Sequence, residues 1–137
     1  MPEIDDDFEI LVNRFFRSRF SCAEVPHDIW TPPTDIYETG RGAVLKMELA
    51  GVDPGNIQIF LEGKKLIVQG VRHDPSESEK VSYHQMEIIY GPFRSVFSLP
   101  FIVKAKEVKA RYNNGFLEIH LPYSSDLVDE LIQIDIK

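Results

Sequence analysis

At 137 residues the chain is long enough for one domain with a real core and short for two. Apolar residues at 43% and charged residues at 27% make a globular composition, so any stretch unable to bury itself belongs at the ends. The 22 acidic against 15 basic residues leave a formal net charge of -7, which repels phosphate backbones and anionic lipid and sets nucleic-acid and membrane partners aside.

The chain opens on Met1-Pro-Glu-Ile-Asp-Asp-Asp7, acidic where a secretory signal carries basic residues, and no run approaches the roughly 20 apolar residues of a spanning helix. The single cysteine, Cys22, excludes an internal disulfide framework and agrees with a reducing compartment, so a cytoplasmic protein is expected. Phe8, Leu11, Val12, Phe15 and Phe16 then fall at the spacing of one helical face. Asp5, Asp6, Asp7 and Glu9 lie towards the start of that stretch and Arg14, Arg17 and Arg19 towards its end, matching the helix dipole. The stripe, continued by Phe20, either packs on its own domain or offers a sticky face to partners and clients.

From Trp30 the apolar period changes from helical to two. Residues 31–38, opening on Thr31-Pro-Pro-Thr34, suit an edge strand, where proline costs no ladder bond. Leu45, Met47 and Leu49 alternate with Lys46 and Glu48 after the Gly40-Arg-Gly42 turn, and residues 51–56 form a loop. Ile57, Ile59 and Leu61 make the next apolar face, and a hairpin over residues 62–65 returns Leu66-Ile-Val68. Residues 72–82 read as a polar, exposed loop and residues 83–89 as a strand. Strands over 93–99, 108–112 and 116–121 follow, the last two around Asn113-Asn-Gly115. About eight strands with short links and no helix between them predict an all-β fold, an antiparallel two-sheet sandwich of immunoglobulin-like form. The division expected is an arm over 1–29, the sandwich over 30–122 and an extended tail over 123–137.

Catalytic chemistry has little to work with. His27, His73, His84 and His120 are scattered, and none has a second His or a Cys at metal-ligand spacing. No Gly-rich phosphate loop and no nucleophile elbow is present, so neither metal nor cofactor is expected and no enzyme is indicated. Cys22, near the amphipathic stretch, is read as a small apolar residue.

Four segments carry a family resemblance. Ala110-Arg-Tyr-Asn-Asn-Gly-Phe-Leu117 resembles the Ala-x-x-x-Asn-Gly-x-Leu signature of the α-crystallin domain, carried by Ala110, Asn114, Gly115 and Leu117. Ile132-Gln-Ile134 is similar to the Ile-x-Ile tail motif of the same small heat-shock family. Leu66-Ile-Val-Gln-Gly-Val-Arg72 and the pair Tyr90-Gly-Pro-Phe93, Phe97-Ser-Leu-Pro100 add to it. The resemblance implies an ATP-independent holdase that dimerises, assembles further and binds non-native client proteins. It further implies a tail-binding groove walled by Ile57, Ile59 and Leu61 against Val108, Ala110 and Tyr112, residues that are otherwise simply core.

Isoleucines two apart share one side of an extended strand and can enter one groove. Ile134-Asp-Ile136 offers a second register, and a terminal strand folded back on its own sheet is the plainer alternative. The loop and strand through Tyr83, His84, Met86 and Ile88 resemble the segment that bacterial and plant members exchange between subunits, closing on the edge at Ile36 and Tyr37. The family's arginines are missing from this segment, where Gln85 and Ile88 stand, and Arg94 comes one place early. The competing function is a co-chaperone of the CS type, a sandwich that recognises one folded partner.

Overall fold

The computed structural model describes residues 29–80 and 82–137. The arm expected over 1–29, with Phe8, Leu11, Val12, Phe15, Phe16 and Phe20, and also Cys22 and His27, therefore lies outside the described residues but for Ile29. Among the described residues eight strands form two antiparallel four-stranded sheets. One runs β1 (Thr34–Glu38), β2 (Gly42–Glu48), β7 (Phe116–Pro122), β6 (Lys109–Asn113). The other runs β5 (Gly91–Ser98), β4 (Lys65–Arg72), β3 (Ile57–Glu62), β8 (Leu131–Ile134).

The alternation in the sequence sets the inner faces. Ala43, Leu45 and Met47 of β2 and Leu117, Ile119 and Leu121 of β7 meet Ile59, Leu61, Leu66 and Val68 of the opposite sheet in one buried cluster. Two-residue alternation makes each register self-enforcing, because a slip by one place would turn the whole apolar set outward.

The turns follow from residues that tolerate positive φ. Asn113 pairs with Phe116, leaving Asn114 (φ 53) and Gly115 (φ 82) as a two-residue hairpin loop with positive φ at both centres. Gly115 has a second constraint, since a Cβ there would stand 3.1 Å from Ala50 Cα, and its carbonyl accepts from Leu49 N at 2.7 Å. Gly70 is required by close approach instead: a Cβ would lie 2.1 Å from the Asn56 carbonyl oxygen.

Three expectations are corrected. Residues 83–89 form no strand in the single chain, and residues 82–90 are all exposed, since the segment pairs with no strand of either sheet and strand propensity without a partner makes no ladder. Seven strands, not about eight, lie within 30–122, and the eighth comes from the tail. The loop over 72–82 is also better ordered than its composition suggests. Asp74 accepts from Ser76 N at 3.0 Å and Ser76 Oγ at 2.9 Å and pairs with Lys80, which winds Glu77–Glu79 into a 3₁₀ turn.

Candidate functional site

The tail lies in a groove along the open side of the sandwich. After Pro122 the chain crosses eight residues, then β8 pairs antiparallel with β3, Ile134 opposite Ile59 and Ile132 opposite Leu61. Beyond β8, Ile136 bridges to Ala110 of β6, and Lys137 N donates to the Ala110 carbonyl at 3.0 Å. The tail therefore joins the two sheets where β3 and β6 would otherwise leave their edges open.

Ile134 is buried at 7% exposure, and Ile132 and Ile136 pack against the core, while Gln133 and Asp135 face solvent. The two registers that the sequence offers are thus one arrangement sharing Ile134. Of the predicted groove walls, Ile57, Ile59, Leu61 and Ala110 are buried in the core cluster, and Val108 and Tyr112 are half-buried against it. Tyr112 is fixed by its hydroxyl, which donates to the Leu49 carbonyl at 2.7 Å.

The signature residues gain a physical account here. Ala110 is the residue on which the tail bridges, and it is itself buried in the inter-sheet core cluster. Asn114 and Gly115 make the hairpin that sets β6 beside β7, and Leu117, fully buried, fixes that hairpin on the core.

A second region gathers exposed apolar groups. Tyr83, Met86, Ile88, Ile89 and Tyr90 are exposed, as are Ile36 and Tyr37 on β1, whose outer side ends its sheet. His84 is exposed beside them. The base of the segment is held by Arg72, a group that reading the sequence passed over. Its Nε and Nη2 donate to the Ile89 carbonyl at 2.9 and 2.6 Å and its Nη1 to the Ala50 carbonyl at 3.2 Å. Its guanidinium lies 4.4 Å from the Trp30 ring centroid. The arginine closing the Gly70-Val-Arg72 sequence was the available signal. Beside this hub Trp30, Pro33, Ala50, Arg72 and Ile88 line an open cleft of about 680 Å³.

Among the described residues no three His, Cys, Asp or Glu side chains gather at metal-binding distance. His73 and His120 are both exposed, His120 lying 3.5 Å from Glu118. No helix among them is long and apolar enough to cross a membrane.

Residues 35–137 match the model of the Hsp20/alpha crystallin family. The chain belongs to that family. Small heat shock protein C2 of Rickettsia felis is 33% identical over 87% of this chain and 76% of its own length. HspA of Xanthomonas axonopodis superposes with a TM-score of 0.62 at 34% identity, covering 70% of this chain and 96% of that one. A small heat-shock protein of Xylella fastidiosa, described as having a distinct high-order structure, gives 0.65 at 30% identity over 78% and 98%. The family is one of chaperones and not of enzymes, which agrees with the reading of the sequence. Its α-crystallin domain is the two-sheet sandwich described above.

Proposed function

We propose that this chain is an ATP-independent holdase, built from dimers into a larger homo-oligomer, that captures partly unfolded proteins through apolar surface it can uncover. The observation that carries this reading is the seating of Ile132, Ile134 and Ile136 in a groove shared by both sheets. Burying an isoleucine contributes about 1.5–3 kcal/mol, and ordering a tail residue costs about 1–2 kcal/mol, so gain and loss are of similar size and the clasp opens. An opened groove can take a neighbour's tail or an apolar client segment. Eight residues link tail to sandwich, and the same short link that returns the tail to its own groove can carry it to an adjacent subunit. Many weak clasps in one assembly gain by effective concentration while each remains reversible.

Within the dimer, residues 82–90 of one subunit join the free edge of β1 in the other, through Tyr83, His84, Met86 and Ile88, and the reverse contact completes an isologous pair. The exposure of both partners to this contact, the segment and the Ile36-Tyr37 edge, supports it. The Phe8, Leu11, Val12, Phe15, Phe16 and Phe20 arm adds client-binding surface, and the compartment is the cytoplasm. Mixing the protein with a heat-denaturing enzyme in nucleotide-free buffer and passing the mixture over a sizing column tests the reading. A soluble co-eluting complex is expected; client lost to the pellet with the chaperone still alone in its own peak would overturn it.

A further inference from the structure

The segment over 82–90 is fastened near both ends by one ammonium. Lys80 Nζ lies 4.9 Å from the Tyr83 ring centroid and 5.3 Å from that of Tyr90. Both distances are within reach of a cation–π attraction. The ammonium is itself set in place by Asp74, whose carboxylate pairs with it while accepting from Ser76 N and Ser76 Oγ. Tyr90 is anchored further. The Arg72 guanidinium, held by the Ile89 and Ala50 carbonyls, lies 5.7 Å from its ring centroid and 4.4 Å from that of Trp30. Ring and cation therefore alternate outward from the sandwich in the order Trp30, Arg72, Tyr90, Lys80, Tyr83.

This fastening is incompatible with a strand. The two tyrosine rings share one ammonium, and each centroid stands about 4 Å from its own Cα by standard bond lengths, so the Tyr83 and Tyr90 Cα atoms lie within about 18 Å. A continuous strand between the same residues spans about 23 Å at ~3.3 Å per residue. The chain meets the shorter span with a bend at His84, and Met86 and Ile88, 69% and 64% exposed, stand on the arch that results.

We propose that Lys80 is a clasp that holds the partner-seeking segment in this arch, so that pairing with a second copy's β1 requires the Lys80–Tyr83 contact to open. The clasp rests on the preceding assignment of residues 82–90 to the dimer contact and adds its regulation. Tyr90, tied to Arg72 at the foot of β5, stays in place, and Tyr83 is the end that swings out. An isologous dimer opens two arches, so each clasp counts twice against association. The benefit to a lone subunit is that it presents no ready-made strand to unrelated sheet edges, the ordinary route to uncontrolled sheet growth. Because the attraction is that of a cation for a ring face, losing the positive charge at position 80 frees the segment, and keeping it does not.

The test uses the full chain. Lysines are pulsed with acetic anhydride in the monomer fraction obtained by dilution and in the assembled fraction, and the adducts are counted by mass spectrometry. In the monomer Lys80 should react several-fold more slowly than the exposed Lys104, and in the assembly at a similar rate. Equal protection of Lys80 in both fractions, or none in the monomer, would overturn the clasp. Lys80→Met keeps an apolar stem without the charge, and native mass spectrometry over a dilution series should show its dimer tighter by about tenfold or more. Lys80→Arg keeps a cation on the rings and should stay near the parent. A Lys80→Met dimer no tighter than the parent's overturns the clasp. Met86→Lys, outside the column, tests the underlying assignment separately. Parental affinity there removes the segment from the dimer and the clasp's role with it, whereas a weakened Met86→Lys dimer beside an unchanged Lys80→Met dimer leaves the contact standing and strikes the clasp alone.

Discussion

Replacing Ile134 by Ala tests the clasp where it is tightest. Ile134 is the most deeply buried of the tail isoleucines at 7% exposure, opposite Ile59 in the β3–β8 ladder. The change deletes three carbons, about 2.4 kcal/mol at ~0.8 kcal/mol per buried methylene. In a core strand a cavity would add to that cost, but a terminal strand can detach, so the penalty falls on docking instead of global stability. The docking equilibrium should weaken about 50-fold, since ~1.4 kcal/mol is tenfold. Amide exchange read by mass spectrometry reports this directly: peptides over 131–137 should exchange up to about 50-fold faster while those over β4 keep their rates. Gln133→Ala, altered at a solvent-facing position, should change neither. Unaltered exchange in β8, or a matching acceleration in β4, would refute the reasoning.

Deleting residues 74–80 removes the Asp74 turn and shortens the reach to a partner's β1, so native mass spectrometry should show dimers giving way to monomers; an unchanged mass would exclude exchange. Arg72→Ala loses the contacts to Ile89, Ala50 and Trp30 and should weaken the base of the 73–90 segment by about 1–2 kcal/mol. Limited proteolysis there should quicken several-fold, and Arg72→Lys should not restore it, for lysine lacks the fork. Gly70→Ala drives a Cβ against the Asn56 carbonyl and should cost about 2–3 kcal/mol, lowering Tm by about 10 °C; an unchanged Tm would mean that β3 and β4 separate freely there.

Tyr123 donates to Glu38 at 2.7 Å, and that bond, with some burial and the carboxylate's charge, holds its phenol above the ordinary range. A phenol raised in the folded state contributes stability that is present below about pH 10 and is lost as pH rises through the raised value. In Glu38→Ala, ultraviolet titration should show Tyr123 moving down towards the ordinary phenol range; no movement would refute the pairing as its cause.

The strands were legible wherever an alternation met a turn residue. Leu45, Met47 and Leu49, then Ile57, Ile59 and Leu61, fixed both face and element, and Asn114-Gly115 fixed a hairpin. The segment over 83–89 misled because its apolar residues, Met86 and Ile88 among them, carry strand propensity without a partner strand in the same chain, and propensity alone does not make a ladder. Asp74 was read as loop polarity, although an Asx turn built on a shielded carboxylate orders that loop. The groove residues were named, but the cis seat of the tail appeared only as an alternative, because pairing between Ile134 and Ile59 spans a separation that no local pattern encodes. Arg72 was visible only as the last letter of a family string, since its partners at Ala50 and Ile89 are backbone carbonyls.

The central claim, capture of unfolding proteins without nucleotide, is tested most directly by light scattering of a heat-denaturing client titrated with this protein in nucleotide-free buffer. The account predicts that scattering falls with added chaperone and reaches its floor near one subunit per client, unchanged by ATP. Scattering that stays at the client-alone level up to several subunits per client, or that falls only when ATP is added, would contradict it.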